Sequence, residues 1–241
     1  MTKSLEFSKS GLTTLFPETF NQQVQKFYQP SEVGLKLLDF GCGSELFLNS
    51  AREQGWNTIG IDFSPQSVEQ VRAHRHQALL MSSQVWDEIE DESLDCVRMN
   101  HVLEHLYHPQ KNLQAIYSKM KPGGILHIGV PNPYSITSRI FRSRWFSLEC
   151  PRHIMLYSPA LLKKILTSMG FSEIKILHQT VTKDFLRSCG YVLYDLDLIS
   201  KDEIAKMAQR RYLSNLLYPL ARLASAFGVA DRHDVFCTKP D

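Results

Sequence analysis

The sequence predicts an α/β protein built on a doubly wound, mostly parallel β-sheet. From about residue 35 onward, short apolar runs alternate with segments whose apolar residues recur at helical spacing. Such alternation needs crossover connections, and right-handed crossovers cover both faces of a parallel sheet with helices. The chain has 241 residues, 43% of them hydrophobic and 22% charged, so one large domain can bury its own core.

Strands are predicted at apolar runs that are bounded by glycine, proline or polar residues, as buried strands usually are. In the first half of the chain they are Leu35–Phe40, Asn57–Ile61, Ala78–Met81, Cys96–Asn100 and Ile125–Val130. Glu173–His178 and Asp234–Thr238 follow in the less regular second half.

Helices are predicted where apolar residues recur every three or four positions and a capping residue marks an end. Ser64 and Ser158 each precede a proline, which is the pattern of an N-cap followed by proline in the first turn. The predicted helices are Glu45–Gln54, Ser64–His74, Asn112–Met120, Ser158–Met169, Lys201–Leu217 and, past Pro219, Leu220–Phe227.

These elements divide the chain into four predicted parts. Residues 1–34 form an N-terminal helical extension, and residues 35–178 form the ligand-binding core. Residues 179–233 form a helical insertion or cap, and residues 234–241 supply the last strand of the core.

Charge and cysteine usage limit the function classes. The chain has 27 basic and 25 acidic side chains, a net charge of +2, which gives no argument for a nucleic-acid partner. Its 5 cysteines are scattered without a C-x-x-C pair, as in reduced proteins of the cytosol. The N-terminus lacks the apolar core of a signal peptide, and no apolar stretch is long enough to span a bilayer. We therefore expect a cytoplasmic protein.

A glycine-containing loop follows the first predicted strand. Gly41 and Gly43 let the backbone approach a ligand at the point where a helix begins. The dinucleotide fingerprint would need a third glycine at Leu46, and no P-loop lysine follows. Asp39, just before the glycines, would repel a pyrophosphate but suits a cationic ligand.

A second motif closes the second predicted strand. Asp62 is placed to accept hydrogen bonds from ribose hydroxyls, and Phe63 can cover one face of a purine. Either motif alone could be a simple turn. Together, after neighbouring strands, the two motifs favour nucleoside binding.

Four motifs in order resemble those of class I S-adenosylmethionine-dependent methyltransferases, the group that includes ubiquinone-pathway O-methyltransferases and many small-molecule enzymes. They are L-L-D-F-G-C-G, G-I-D-F-S, L-D-C-V-R-M-N-H-V-L-E-H-L and M-K-P-G-G-I-L-H-I-G-V-P-N, and with their family spacing they cover roughly residues 35 to 178. The resemblance implies a Rossmann-like, seven-stranded sheet with an antiparallel last strand. It also implies S-adenosyl-L-methionine as cofactor.

Carried over by position, the resemblance assigns cofactor contacts to individual residues. Asp62 would hold the ribose and Phe63 the adenine, and Asn100 would lie under the methionine moiety. The other implied contacts are Asp39, Gly41, Cys42 and Gly43 around the methionine, and Ser82 and Ser83 at the adenine edge.

Glu45 departs from the family pattern, which usually has a third glycine there. A glutamate in the first turn of a helix is favourable to the helix dipole. It would also crowd the carboxylate of the cofactor. The alternative is therefore a protein that has this fold but a degenerate cofactor site and no catalysis. In that case Glu45→Gly would restore cofactor binding.

His101, Glu104 and His105 match the H-x-x-E-H zinc-peptidase pattern, but the long helix and distant third ligand of that site are missing from the pattern. Some ubiquinone-type methyltransferases hold a metal here through acid-x-x-Glu-His, and His101 replaces the acid. A metal-assisted quinone-type O-methyltransferase is thus a second alternative. The favoured interpretation is an active-site floor without metal.

The segment after the fifth strand predicts the acceptor site. Between residues 131 and 164 the only acidic residue is Glu149, against the basic residues Arg139, Arg142, Arg144, Arg152, Lys163 and Lys164. A solvated helix face with core aromatics would give the same pattern. As a functional site, Arg144, Trp145 and Arg152 would bind a small acceptor that carries an anionic group, since arginine suits carboxylates.

Transfer to a hydroxyl oxygen, the most favoured reaction, needs a group that removes a proton. Histidine is best suited near neutral pH. His153 is the first candidate for this base and His101 the second, with a structural histidine as the alternative for both.

The helical insertion carries Arg210, Arg211 and Arg222 among leucines at helical spacing. Such a stripe is typical of a cap that packs over the active site, and we favour that interpretation. Peripheral contact with a membrane is the other interpretation.

Overall fold

A seven-stranded sheet forms the centre of the computed structural model, which describes residues 28–179 and 181–241. Its strand order is β3-β2-β1-β4-β5-β7-β6. β7 is antiparallel to both of its neighbours, and the remaining pairs are parallel. The strands are β1 (Lys36–Phe40), β2 (Asn57–Asp62), β3 (Gln77–Leu80), β4 (Leu94–Asn100), β5 (Met120–Pro131), β6 (Ser172–Gln179) and β7 (Arg232–Thr238). The predicted α/β fold with an antiparallel last strand is confirmed.

Eight α-helices connect or flank these strands in the described ranges. They are α1 (Leu46–Glu53), α2 (Pro65–Ala73), α3 (Pro109–Lys119), α4 (Ile136–Phe141), α5 (Pro159–Ser168), α6 (Lys183–Asp195), α7 (Lys201–Gln209) and α8 (Arg211–Ala226). Most of the predicted N-terminal extension, residues 1–27, lies outside the described residues.

The predicted N-caps of α2 and α5 are confirmed. The Ser64 hydroxyl accepts a hydrogen bond from the Ser67 amide at 3.3 Å, and the Ser158 hydroxyl accepts one from Leu161 at 3.1 Å. Each cap satisfies an amide that would otherwise lack a partner at the helix start.

β5 begins earlier than the sequence predicts. Residues 121–124, expected to form a stop between helix and strand, lie inside the strand. Gly123 has φ +75° and its amide donates to the carbonyl of Lys239 at 2.8 Å, while the Lys239 amide donates to Gly124 at 3.0 Å. Bonds to the segment after β7 therefore extend the ladder through a region that reads locally as a turn.

The helical insertion also differs from the prediction. α4 and α6 were not predicted, and the predicted helix Lys201–Leu217 is divided at Arg210, whose backbone is extended. Pro219 lies inside α8 instead of ending it. Proline removes the hydrogen bond to the carbonyl of Asn215, and both residues are exposed, so water can satisfy that carbonyl.

The apolar stripe of α8 is exposed, whereas the helical spacing of its leucines predicts a cap that packs on the fold. Within α8, no residue is buried, and Leu216 is 74% exposed. No helix in the described residues is both long and apolar enough to cross a membrane.

The strand order reverses between β1 and β4, which are neighbours in the sheet. In doubly wound sheets the ligand crevice lies outside the carboxyl ends of the strands at this reversal. The loops after β1 and β4 therefore position the candidate site.

Candidate active site

The glycine loop after β1 packs directly on the loop after β4. Gly41 has φ +79°, and a Cβ on it would overlap Cγ2 of Val102. Gly43 has φ +61°, and nothing lies within 4 Å of where its Cβ would be. Gly41 is thus needed for close packing, and Gly43 borders open space that a ligand can enter.

Asp62 joins the loop after β1 to the loop after β2. Its Oδ2 accepts from the Gly43 amide at 2.8 Å, and its Oδ1 accepts from the Ser64 amide at 2.9 Å. The carboxylate is therefore held at the edge of the crevice by two backbone donors and stays partly exposed.

The remaining predicted adenosyl contacts lie at the same edge of the sheet. The Phe63 side chain is 54% exposed beside Phe40, with ring centroids 5.9 Å apart. Ser82 and Ser83 follow β3 and are exposed. The ring of Phe63 thus offers a free face next to polar groups.

Asp39 is fully buried below the glycine loop. Its Oδ1 accepts from Nη1 of Arg98 at 2.8 Å, and the guanidinium of Arg98 lies 4.0 Å from the centre of the Phe47 ring. Burial raises the pKa of Asp39, while the Arg98 charge opposes that rise. Oδ2 of Asp39 has no hydrogen-bond partner among the described residues, so a cationic ligand group would complete this site.

The Cys42 side chain points away from the crevice. Its Sγ packs on Gly60, where a Cβ would lie only 2.9 Å from it, and burial raises the pKa of the thiol to about 12. The thiol thus packs into the fold, and a contact of Cys42 with the cofactor stays a prediction.

The carboxylate of Glu45 is held against α2. Its Oε2 accepts from Nε2 of Gln70 at 2.7 Å, and its Oε1 lies 4.0 Å from Nε2 of His74. Both oxygens of Glu45 already have partners on or next to another helix. This arrangement does not support the expectation that the side chain crowds the cofactor carboxylate.

Asn100 lies at the end of β4 above a small residue of β5. A Cβ on Gly129 would lie 2.6 Å from Oδ1 of Asn100 and 2.8 Å from Oδ1 of Asp234. Glycine is therefore required for these two polar side chains to approach each other across the central strand. Nε2 of His127 donates to Oδ1 of Asp234 at 2.6 Å, so this carboxylate is already anchored.

A polar cavity of about 270 Å³ lies beside the loop after β4. Its walls come from the loop after β4 and the last residue of the short 3-10 helix Leu103–His105, from residues 146–153, and from β5, α6 and β7. The titratable residues that line it are His101, His105, Glu149, Arg152, His153, Arg187 and Arg232.

His153 has one ring nitrogen free to act in this cavity. Its Nδ1 donates to the carbonyl of Ser147 at 2.8 Å, so Nε2 carries the lone pair. Nε2 lies 3.8 Å from Oε2 of Glu149 and 4.0 Å from Oε1 of Glu104. The side chain is only 6% exposed, so the ring is held in place beside two carboxylates.

His101 is fully engaged by its neighbours. Its Nε2 accepts from Nη1 of Arg232 at 2.9 Å, and its Nδ1 donates to Oε1 of Glu104 at 3.2 Å. Because the guanidinium occupies the Nε2 lone pair, His101 cannot take a proton from an acceptor in this arrangement. These contacts make His153 the better placed of the two candidate bases, and the role of His101 as a second base stays a prediction.

Three potential metal-binding groups come together next to this cavity. Glu104, His105 and His153 have ligand atoms within 4.8 Å of one another, and Oε2 of Glu104 is buried without a partner among the described residues. The set differs from the expected His101, Glu104 and His105, because Arg232 holds His101.

Two predicted acceptor residues have other roles. Arg144 forms an ion pair with Asp195 at the end of α6, and it does not line the cavity. Trp145 is buried and donates from Nε1 to Oδ1 of Asp231 at 3.0 Å, so it anchors the segment to the start of β7. Arg152 does line the cavity, with Nη1 3.2 Å from Oε2 of Glu149.

Sequence reasoning missed Arg232, Asp184 and Arg187. Arg232 forms a bidentate pair with Asp184 through Nε at 2.6 Å and Nη2 at 2.9 Å, and Arg187 lies 3.9 Å from the same carboxylate. The charged residues just before the predicted last strand were the only local signal for Arg232. The position of α6 could not be read from the sequence pattern.

The strand order, the glycine loop and the held aspartate after β2 together define the class I methyltransferase type of α/β fold. A family model described as a methyltransferase domain matches residues 14–176, and the chain belongs to this family. S-adenosyl-L-methionine is the cofactor of the family.

Similar proteins agree with this membership. A ubiquinone biosynthesis O-methyltransferase of Cereibacter sphaeroides is 30% identical over 126 residues, which is 49% of this chain and 51% of that protein. The chain thus spans about half the length of this curated relative.

Solved structures show the same fold. A SAM-dependent methyltransferase from Archaeoglobus fulgidus aligns with a TM-score of 0.61 at 21% identity over 90% of both chains. Phosphoethanolamine N-methyltransferase 2 of Haemonchus contortus, in complex with S-adenosyl-L-methionine, aligns with a TM-score of 0.57 at 20% identity, over 92% of this chain and 53% of that one.

Proposed function

We propose that the chain transfers a methyl group from S-adenosyl-L-methionine to a hydroxyl oxygen of a small, anionic acceptor. The observation that carries the proposal is the position of His153, which lines the polar cavity, bonds the Ser147 carbonyl through Nδ1 and leaves Nε2 beside Glu104 and Glu149. A histidine held in this way can accept the proton of a hydroxyl group as it attacks.

The crevice after β1 and β2 fits the cofactor. Gly43 borders open space, Asp62 offers a held carboxylate for ribose hydroxyls, and Phe63 presents an aromatic face for adenine. The unpartnered Oδ2 of Asp39 suits the ammonium group of the methionine part, and the backbone of Gly41 and Cys42 and the amide of Asn100 would border the same moiety. Ser82 and Ser83, which are exposed after β3, would contact the adenine edge.

When bound, the cofactor supplies a methyl group activated on a sulfonium sulfur, so the protein mainly aligns and desolvates the acceptor. The acceptor oxygen forms a bond to the methyl carbon while the carbon–sulfur bond breaks, and that electron pair stays on sulfur. His153 takes the hydroxyl proton at Nε2. The carboxylates of Glu104 and Glu149 lie 4.0 and 3.8 Å from that nitrogen.

The charge of the polar cavity supports an anionic acceptor. Arg152, Arg187 and Arg232 line it, against Glu149 as the acidic lining residue among those described. Arginine forms forked hydrogen bonds with carboxylates and phosphates, so Arg152 and Arg187 can orient such a group, while Arg232 adds its charge and stays bonded to Asp184 and His101.

Metal-assisted transfer is the second candidate, and the grouping of Glu104, His105 and His153 favours it. Imidazole nitrogens and a carboxylate are suitable ligands for a divalent transition metal. A metal there would lower the pKa of an acceptor hydroxyl and would use His153 as a ligand instead of a base. Metal analysis and activity in a chelator separate the two candidates: full activity with no bound metal removes this one.

Transfer of a radiolabelled methyl group to a panel of acceptors tests the main proposal. The panel pairs hydroxy acids with their methyl esters and with amino acids of the same carbon skeleton. We expect labelled ethers from the hydroxy acids and less transfer to the esters. Transfer only to amines would refute a hydroxyl oxygen as the methyl acceptor. Equal rates for acids and esters would refute the preference for an anionic acceptor. Failure to bind the cofactor would instead favour the degenerate alternative.

A further inference from the structure

The exposed stripe of α8 is continuous over the length of the helix. Leu216, Leu220, Leu223 and the capping residue Phe227 lie on one side of α8, because they are spaced by three or four positions. All four are more than half exposed, Leu216 and Phe227 each at 74%. A helix that packed as a cap would bury such a stripe, whereas these four side chains stay largely exposed in the described part of the chain.

A second helix extends this apolar area. Ile136 and Ile140 of α4 are exposed, and they lie across a cavity of about 320 Å³ from Leu220 and Leu223. The cavity is lined mainly by apolar side chains and opens where these exposed residues meet. We call the area formed by Ile136, Ile140, Leu216, Leu220, Leu223 and Phe227 the α4–α8 surface.

The segments that carry the α4–α8 surface contain cations and no acids. Residues 132–148 and 204–230 have no aspartate or glutamate, and their basic residues are Arg139, Arg142, Arg144, Lys206, Arg210, Arg211 and Arg222. Arg139, Arg142, Arg210 and Arg211 are exposed. The chain as a whole has a net charge of only +2, so this distribution is local.

We propose that the α4–α8 surface docks on the surface of an anionic lipid bilayer. Apolar side chains on one side of a helix enter the boundary between headgroups and acyl chains, while arginines at the border reach the headgroups. Each cation near an anionic leaflet adds to the attraction. A second copy of this chain is a poorer occupant, because a two-fold interface would bring the same basic borders together.

The α4–α8 surface lies beside the polar cavity but is separate from it. Thr182 and Asp231 line the apolar cavity, while Asp184 and Arg232 belong to the acceptor site. The proposal therefore stands apart from methyl transfer and can be tested without an acceptor.

Cosedimentation of the full chain with vesicles tests the proposal. One set of vesicles mixes phosphatidylglycerol with phosphatidylcholine, and the other contains phosphatidylcholine alone. We expect the chain to sediment with the mixed vesicles and at least about tenfold more weakly with the neutral ones, with the difference shrinking in high salt. A chain that stays in the supernatant with both sets would overturn the proposal.

Paired variants show which residues bind. Leu220→Glu with Leu223→Glu, and separately Arg210→Glu with Arg211→Glu, should each weaken binding to mixed vesicles at least about tenfold. The matched controls are Val33→Glu, an exposed apolar residue before β1, and Lys163→Glu with Lys164→Glu on α5. Both controls should bind as the unchanged chain does, and unchanged cofactor binding in every variant would establish that it is folded.

Two further results would contradict the proposed docking on lipid. Equal losses in the controls and in the α4–α8 variants would mean that binding follows net charge or general hydrophobicity. The other result is a stable dimer that does not sediment with either set of vesicles and that dissociates on Leu220→Glu with Leu223→Glu. It would assign the surface to a second copy of the chain.

Discussion

Nη1 of Arg232 donates a hydrogen bond to Nε2 of His101 at 2.9 Å, while the rest of the same guanidinium holds Asp184. Arg232 stands at the start of β7, His101 follows β4, and Asp184 belongs to the helical insertion. The contact therefore connects the insertion to the wall of the polar cavity and fixes which nitrogen of His101 carries the proton in this arrangement.

Replacement of Arg232 by lysine should impair transfer without impairing cofactor binding. Lysine offers a single ammonium group, which cannot keep the bidentate bond to Asp184 and also reach His101. We expect kcat to fall about tenfold or more while the Kd for S-adenosylmethionine changes less than about threefold. Arg75→Lys, at an exposed position after α2, is the control. Unchanged kcat in Arg232→Lys would mean that the contact does not shape the site.

His153→Asn should lower kcat by about 100-fold, because loss of a positioned base costs 100- to 10,000-fold in rate. The amide nitrogen of asparagine can keep the bond to the Ser147 carbonyl, so the local backbone stays in place. Steady-state kinetics with a hydroxy-acid acceptor measure the effect, and His74→Asn on the outer surface is the matched control. A kcat within about twofold of the unchanged chain would exclude His153 as base.

Asp62→Ala should weaken S-adenosylmethionine binding at least about tenfold, measured by calorimetric titration. The change removes the acceptor of the Gly43 and Ser64 amides as well as the group proposed to hold the ribose. If the Kd stays the same, the nucleoside does not lie at the end of β2.

Glu45→Gly should change the same Kd by less than about threefold. The carboxylate of Glu45 is bound to Gln70 and lies close to His74, so its removal clears no space over the glycine loop. A large gain in affinity would contradict this and would show that Glu45 obstructs the cofactor.

Asp231 makes folding stability depend on pH. Burial raises its pKa from 3.8 to about 6, against the opposing hydrogen bond from Trp145. Between these two pKa values the folded state binds the proton more tightly than the unfolded state, so the free energy of unfolding falls as pH rises through this window. Relative to Asp231→Asn, the unchanged chain should lose on the order of 2 kcal/mol between pH 4 and 7.

Urea unfolding at pH values on both sides of this window measures the difference between the two proteins. The asparagine side chain can still accept from Trp145, so the comparison isolates the charge. Parallel stability curves would mean that Asp231 titrates normally in the folded state.

Local signals allowed much of the fold and the cofactor site to be predicted. The glycines at 41 and 43, Asp62 after an apolar run, and the Ser-Pro pairs each depend on a few neighbouring residues, and the structure places each at the expected element end. Whether these residues contact the cofactor stays a prediction.

The acceptor side could not be predicted in the same way, because its geometry depends on pairs far apart in the chain. Arg144 and Trp145 looked like acceptor contacts by composition, but Asp195 and Asp231 bind them. Arg232 had no motif of its own, and it meets His101 only because β7 is placed beside β5. The exposure of the apolar face of α8 could not be predicted either, since an amphipathic pattern does not indicate whether another element covers its apolar side.

A crystal structure of the chain with S-adenosylhomocysteine is the decisive test of the proposed methyl transfer, because it locates the cofactor product relative to Asp62 and His153. We expect the ribose hydroxyls within hydrogen-bond distance of the Asp62 carboxylate. We also expect the sulfur atom to face the polar cavity that His153 lines. A nucleoside bound away from Asp62, or a sulfur atom directed away from that cavity, would contradict it.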